Sequence, residues 1–328
     1  MGTNYKISIV IAAYNVESYI IDCLDSIFKE QELLTFKTQV IVVNDGSKDE
    51  TSTLLLSYIH DDLIILEQTN QGQSAARNNG LKYVQGEYLM FLDADDMLAK
   101  DALNILKNTI EEQDVDLVFF DAQEFYSELK KIPYKVNTYC KPSNLYNKKI
   151  NSCDFFNISI SSGIYNVSPC MYLVKASAVK EIKFKNGIIY EDNIYTTMVL
   201  IFSDVKTVFS IDLPLYKRRL REGSTVTEPK TPKHFNSYLT VYKELISHPP
   251  PAEVKKMYYK FCGNILTLTA KMISEVKSYS FYKKLLLKIE VLSLGFKKPV
   301  VLRFRLFFAL ALGGFYKVLA FKIKKLGK

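Results

Sequence analysis

A chain of 328 residues that is 48% hydrophobic and 24% charged has an ordinary globular composition, long enough for one large domain and a smaller one. Its five cysteines, Cys23, Cys140, Cys153, Cys170 and Cys262, are odd in number and form no C-x-x-C pair, which argues against a disulfide framework or a zinc site and for a reducing, cytoplasmic setting. The net charge of +8 belongs to one end: residues 281–328 hold twelve Lys or Arg and one acid, leaving 31 bases against 34 acids elsewhere, and with no recognition motif beside that charge, nucleic-acid binding is not expected.

Residues 7–13 (ISIVIAA) form an unbroken apolar run, the pattern of a strand covered on both faces, and too short for a signal-peptide core. After it Val16, Tyr19, Ile20, Cys23, Leu24, Ile27 and Phe28 recur at helical spacing, with Asn15 placed to cap that helix. Residues 39–43 form a second strand that leads into Asn44-Asp45-Gly46-Ser47. There Ser47 and Glu50 have the spacing of a capping box ahead of Leu54, Leu55, Tyr58 and Ile59. Residues 63–66 form a third strand, 74–84 a helix that ends at Gly86, and 88–92 a fourth strand that runs into Asp93-Ala94-Asp95-Asp96. This alternation predicts a mostly parallel sheet with helices on its faces, and such sheets bind ligands outside the carboxyl ends of their strands. Tyr14, Asp45 and Asp93 all fall at such ends.

A helix over 99–113 and a strand over 115–120 continue the pattern. Residues 127–150, polar and lysine-rich with Pro133 and Pro142, predict a mobile loop over the site. An apolar group at 170–174, a helix over 191–202 and a strand over 206–211 follow. His248 with Pro249, Pro250 and Pro251 then marks a boundary that no helix continues through. Beyond it the chain reads as helical. Its longest apolar run, 306–316, is eleven residues with Gly313 and Gly314 inside, short of the roughly 20 needed to span a bilayer, so no transmembrane helix is expected.

Asp93 and Asp95 stand two apart with Asp96 adjacent, a spacing that suits a hard divalent cation held between carboxylates and phosphate oxygens. Solvated turn acids after a strand look the same, so the neighbours decide. Ala12-Ala13-Tyr14-Asn15 comes first, then Val43-Asn44-Asp45-Gly46-Ser47 with Asp49 and Thr51. Asn70 and Gly72 lead to Ala76-Arg77-Asn78 and Gly80, and Phe91-Leu92-Asp93-Ala94-Asp95-Asp96 closes the series. In this order and at these intervals they resemble the nucleotide-binding half of the family 2 glycosyltransferases. The resemblance covers roughly residues 5–225. It implies an α/β chain of the GT-A nucleotide-diphospho-sugar transferase fold, with a mostly parallel central sheet flanked by helices and a C-terminal helical extension. Residues 1–225 would then be the catalytic domain, with 1–100 its nucleotide-binding half and 101–225 its acceptor-side half, and 226–328 a helical region with a basic amphipathic tail.

The same resemblance implies roles for particular positions. Tyr14 and Asp45 would contact the base, most often uracil, with Ala12 in the same motif and Arg77 beside them. Asp93 would lie at the ribose and the metal, and Asp95 would be the principal ligand of Mn²⁺ or Mg²⁺. Tyr190-Glu191-Asp192-Asn193-Ile194-Tyr195 looks like the family's E-D-x-x-aromatic segment, in which Asp192, or else Glu191, is the base for the acceptor hydroxyl. As bare residues the two are also first-turn acids favoured by a helix dipole. Tyr216 to Ser224 resembles a Tyr-x-x-Arg-x-x-x-x-Ser segment, whose Arg219 and Arg221 would clamp diphosphate or an acceptor phosphate; Arg218 is not separable from them by sequence. The chain has no tryptophan, so it departs from the Q-x-x-R-W signature of processive family 2 synthases.

The implied activity is inverting, metal-dependent transfer of one hexosyl or N-acetylhexosaminyl group from a UDP-sugar to a hydroxyl of a glycan or lipid-linked acceptor, in cell-surface polysaccharide synthesis at the inner membrane face. In the tail, Phe315, Val318, Leu319, Ile323 and Leu326 share one helical face and Lys317, Lys324, Lys325 and Lys328 the other, so residues 281–328 are expected to touch a membrane surface or to form a homo-oligomer. Two rival readings are a dinucleotide-dependent oxidoreductase and a non-enzymatic membrane-surface scaffold or acidic-polymer binder. The first needs G-x-G-x-x-G after the opening strand, where Ala12-Ala13-Tyr14-Asn15-Val16-Glu17 holds no glycine. The second predicts no metal-dependent nucleotide binding.

Overall fold

A computed structural model of the chain describes residues 5–31, 34–126, 138–220 and 229–296. In chain order its elements begin with β1 (Tyr5–Ala13), α1 (Ile20–Gln31), β2 (Lys37–Asn44), α2 (Thr51–Ser57), β3 (Leu63–Glu67), α3 (Gln73–Gly80) and β4 (Tyr88–Asp93). They continue with β5 (Met97–Leu98), α4 (Ala102–Gln113), β6 (Leu117–Tyr126), β7 (Thr138–Tyr139), β8 (Ile150–Asn151), α5 (Ser152–Ser162) and β9 (Tyr172–Lys175). The last are α6 (Asp192–Phe202), β10 (Thr207–Leu220), α7 (Pro232–Ser247), α8 (Lys255–Glu275) and α9 (Phe281–Phe296). The chain divides into two compact units, Met1–Gly187 with Glu191–Thr225, and Ile188–Tyr190 with Val226–Lys328.

The first unit is built on one sheet with the order β3-β2-β1-β4-β9-β6-β10-β5. β3, β2, β1 and β4 run parallel. Both faces of this block are covered, and Ile7, Ile9, Val10, Ile11, Val40, Ile41, Val42 and Phe91 are buried, as their unbroken apolar runs require. Register fixes the site: Ala12 lies opposite both Val43 and Asp93, and Ala13 opposite Asn44. Tyr14, Asp45 and the turn after Asp93 therefore leave the sheet along one edge. Beyond β4 the sheet becomes mixed, because the short β9 lies antiparallel between β4 and β6. β10 then runs parallel to β6, and its outer edge receives β5 antiparallel, with Lys217 opposite Met97.

Several local expectations are corrected. Asn15 does not cap α1, which starts at Ile20; it sits at φ 51°, and its side chain accepts from Lys48 N at 2.8 Å while its own N–H donates to Ser47 Oγ. The Ser47/Glu50 box does not form either. Ser47 Oγ donates to Asn44 Oδ1 at 2.6 Å, and Asp49 accepts from Thr51 N at the start of α2. In both cases a polar side chain with the spacing of a helix cap is captured by a neighbouring loop.

The helix predicted over 74–84 breaks into α3 and a short 3₁₀ turn, Leu81–Tyr83. Gly86 follows where a Cβ would lie 2.5 Å from Ser8 N, and its N–H donates to the buried Ser8 Oγ at 2.8 Å. α4 starts later than 99 because Met97 and Leu98 pair with β10 and Ala99 N donates to Leu215 O. The strand predicted over 206–211 runs on to Leu220, with its register shifting around Pro214, which gives the ladder no N–H. Within the predicted loop over 127–150, residues 138–150 instead hold β7, a 3₁₀ turn at Ser143–Leu145 and the start of β8, all tied to the sheet side of the unit.

The described residues 229–296 of the second unit are mainly helical. α7 begins in a capping box between Thr231 and His234 and ends at Ser247, before the three prolines, and α8 starts at Lys255. Phe235, Tyr242, Leu245, Tyr258, Cys262, Leu266 and Ile273 fill its core, and Tyr258 OH donates to Leu245 O at 2.7 Å. On α9, Leu287 and Val291 are buried, whereas Phe281, Tyr282, Leu285, Leu286 and Ile289 are exposed. No helix among the described residues is long and apolar enough to cross a membrane. The amphipathic stretch expected over 315–328 lies outside the described residues.

Candidate active site

The edge set by β1, β2 and β4 carries the predicted donor residues. Ala12 lies on β1 between Val43 and Asp93, and Tyr14, just beyond, is 42% exposed. Asp45 is buried and accepts three hydrogen bonds: from Gln68 Nε2 at 2.7 Å, Gln71 N at 2.8 Å and Gly72 N at 2.7 Å. It thus fixes the loop between β3 and α3, in which Gly72 takes φ 88°.

Asp93 ends β4. Its Oδ1 accepts from Arg77 Nη2 at 2.7 Å and from Gln73 Nε2 at 3.0 Å. Arg77, only 4% exposed, reaches from α3 and also donates through Nη1 to Glu191 Oε1 at 3.2 Å. Its guanidinium lies 5.1 Å from the Phe184 ring and 5.9 Å from that of Phe91. Burial opposes its charge, but Asp93, with Cys170 and Glu191, outweighs burial and raises its pKa. The structure therefore brings Arg77 together with Asp93 and Glu191, joining the carboxylates after β4 to those opening α6.

Glu191 and Asp192 differ. Glu191 is buried and paired to Arg77. Asp192 keeps some solvent access and accepts from Asn193 N at 2.9 Å. Burial, followed by the nearby Glu191 charge, pushes its pKa up to about 7. A carboxylate poised near neutrality suits proton abstraction from a hydroxyl.

Asp95 and Asp96 occupy the turn between β4 and β5. Asp96 is buried; it accepts from Arg219 N at 2.6 Å and from Tyr216 OH, and burial, then Asp93 and Asp95, pushes its pKa up to about 8. Arg219 Nε donates to the Asp95 carbonyl and Nη2 to Asp22 Oδ2, each at 2.9 Å. Arg218 instead pairs with Tyr139 OH and lies 3.8 Å from Glu124. Arg221 is outside the described residues.

Beneath this turn Cys23 Sγ faces Asp93 O at 3.7 Å, and burial holds its thiol well above the ordinary range, hence neutral. No group of three or more His, Cys, Asp or Glu is assembled as a metal cage among the described residues. The hard oxygen donors of Asp93 and Asp95 nonetheless fit Mg²⁺ or Mn²⁺, which take one or two carboxylates and complete their shell with phosphate oxygens and water. Asp93 supports this fit, since Arg77 and Gln73 both address its Oδ1.

Gln68, Gln73 and Asp22 are not singled out by sequence, and Tyr216 is marked only as the first residue of its motif. Gln68 and Gln73 flank Gly72, a weak signal of a structured loop, whereas Asp22 sits in a helix with no pattern to mark it. A cavity lined by Tyr5, Lys6, Phe36, Lys37 and Glu87 lies at the amino ends of β1 and β2 and holds none of these residues.

Residues 8–174, just over half of the chain, match the profile described as Glycosyl transferase family 2. The glycosyltransferase GlyA of Streptococcus pneumoniae serotype 4 is 29% identical over 231 residues, covering 67% of this chain and 31% of GlyA. The chain thus spans about a third or less of the curated relatives of this kind. Among solved structures, residues 1–349 of S. aureus TarS in complex with UDP align with a TM-score of 0.65 at 19% identity, over 93% of this chain and 87% of that one. A mannosyltransferase from Pyrobaculum calidifontis with GDP-Man and Mn²⁺ aligns with a TM-score of 0.55 at 16% identity, over 96% and 88% of the two chains. At these identities the structural likenesses establish the GT-A fold.

Proposed function

The chain belongs to glycosyl transferase family 2, and from that premise we propose that it moves one sugar from a UDP-sugar to a hydroxyl of a glycan or lipid-linked acceptor, with inversion at the anomeric carbon. The observation that carries this reading is the Arg77 bridge, which draws Asp93, at the expected diphosphate, and Glu191, beside the expected base, into one charged network.

Donor binding falls to the β1–β2–β4 edge. Tyr14 meets the base, Ala12 lies on β1 just before it, and Asp45 holds the loop around Gly72 in place. Asp93 and Asp95 would hold a Mn²⁺ or Mg²⁺ ion, whose charge offsets that developing on the departing diphosphate. Asp192 accepts the acceptor's hydroxyl proton as the new C–O bond forms and the bond from the anomeric carbon to the diphosphate oxygen breaks, leaving UDP. One base and one displacement give inversion. Glu191 stays paired to Arg77 and keeps Asp192 from ionising too readily, because a second charge beside the first is unfavourable.

The exposed apolar row on α9, with Lys283 and Lys288 near it, supports peripheral contact with an anionic membrane surface, which fits a lipid-linked acceptor at the inner face of the cell membrane. The activity is tested by incubating the chain with UDP- and GDP-sugars, Mn²⁺ or Mg²⁺, and glycan or undecaprenyl-linked acceptors, with the product's anomeric configuration read by NMR. Inverted product from a UDP-sugar is expected. Retained configuration, or no turnover with any nucleotide sugar, overturns the reading.

A further inference from the structure

Arg219 resembles a diphosphate clamp in sequence, yet its surroundings give it different work. The side chain is 5% exposed. Its guanidinium lies between two rings, 4.8 Å from that of Phe125 and 5.2 Å from that of Tyr19. Nε and Nη2, the edge a guanidinium uses for side-on bidentate pairing, are directed to the Asp95 carbonyl and to Asp22. The Arg219 backbone N–H is held by the buried Asp96 carboxylate, whose other oxygen takes the Tyr216 hydroxyl.

The turn carrying the carboxylates is consequently fastened at both ends. Arg77 and Gln73 hold Asp93 at the end of β4. On the far side, Met97 pairs with Lys217 and Ala99 N donates to Leu215 O, so the turn is stitched to β10. Between these anchors Arg219 Nε addresses the Asp95 carbonyl at 2.9 Å. A carbonyl fixed by a buried guanidinium sets the plane of its peptide, and with it the direction in which the Asp95 side chain leaves the turn.

We propose that Arg219 is a positioning residue for Asp95, braced by Asp22 and Asp96, and acts through that carboxylate rather than on the donor's diphosphate. The inference rests on the reading that Asp93 and Asp95 hold a cation against that diphosphate. Groups that orient a metal ligand without touching the metal typically contribute about 10–100-fold to metal affinity.

The test uses the full chain carrying Arg219→Lys and, separately, Asp22→Asn, whose side chain is half exposed and whose replacement leaves the core untouched. Two measurements are made: amide hydrogen exchange across residues 93–98 without ligand, and calorimetric affinity for UDP and for uridine, each with and without Mn²⁺. Positioning predicts faster exchange in both variants. It also predicts an unchanged UDP-to-uridine affinity ratio without metal, and about a tenfold higher Mn²⁺ requirement for UDP binding in Arg219→Lys. Asp22→Asn shows the same changes, smaller. Unaltered exchange in both variants, or a metal-free UDP-to-uridine ratio that falls in Arg219→Lys, overturns the proposal, the second result marking Arg219 as a phosphate ligand. Wild-type UDP affinity that ignores Mn²⁺ refutes the cation reading instead, a failure recognisable because it needs no variant.

Discussion

The Arg77 guanidinium stands 3.2 Å from the Glu191 carboxylate, across 114 positions of sequence, while its other terminal nitrogen holds Asp93. This contact joins the first α/β half of the first unit to the helix that opens with Asp192. It also makes Arg77 a buried charge whose partners are both acids. Removing one member of such a group leaves the others desolvated and uncompensated, which costs about 3–5 kcal/mol.

Arg77→Met is therefore expected to lower unfolding free energy by about 3–5 kcal/mol, read from the urea midpoint at constant m. A loss below about 1 kcal/mol is what an exposed ion pair gives and contradicts the bridge described here.

Asp192 yields a pH dependence with a definite sign. Its pKa in the folded chain is pushed from 3.8 up to about 7, so the carboxylate is protonated below that pH and accepts no proton from an acceptor. The transfer rate should rise as pH increases through about 7 and level off above it. Folding carries the opposite slope: wild-type stability falls between about pH 4 and 7 as the buried group is forced to ionise, and Asp192→Asn makes that slope shallower, the remainder coming from the buried Asp96. The same variant should cut kcat by about 100-fold or more with donor affinity intact. Full transfer by Asp192→Asn moves the base elsewhere.

Asp45→Asn puts an amide where three donors converge, and one of Gln68, Gln71 and Gly72 loses its acceptor. A loss of about 1–3 kcal/mol in stability is expected, with weaker uridine binding as the loop around Gly72 loosens. Unchanged uridine affinity would separate the loop from the nucleoside site.

Replacing Phe281, Leu286 and Ile289 on α9 by serine removes exposed apolar surface without touching the buried Leu287 and Val291. Sedimentation with vesicles containing phosphatidylglycerol should drop severalfold while thermal stability holds. Equal sedimentation would move lipid contact off this face.

The parallel half of the sheet was readable because each buried strand is an apolar run closed by a polar turn, and those turns carry Tyr14, Asp45 and Asp93. Side chains that satisfy groups far away in sequence were not readable. Asn15 and Ser47 have the local spacing of helix caps, but their hydrogen bonds go to each other's loops. Asp22 and Arg219 meet across 197 positions, and neither helix periodicity nor motif spacing encodes that contact. Pro214 hid the length of β10, since a proline inside a strand usually ends it, and here the ladder shifts register instead.

The most direct measurement of the central claim is titration of UDP into the wild-type chain and into Asp95→Ala, with and without Mn²⁺. The account predicts that Mn²⁺ strengthens UDP binding to the wild type at least tenfold, and that Asp95→Ala binds UDP weakly and equally under both conditions. UDP affinity that is the same in both chains with Mn²⁺ present would contradict a cation held by Asp93 and Asp95 against the donor diphosphate.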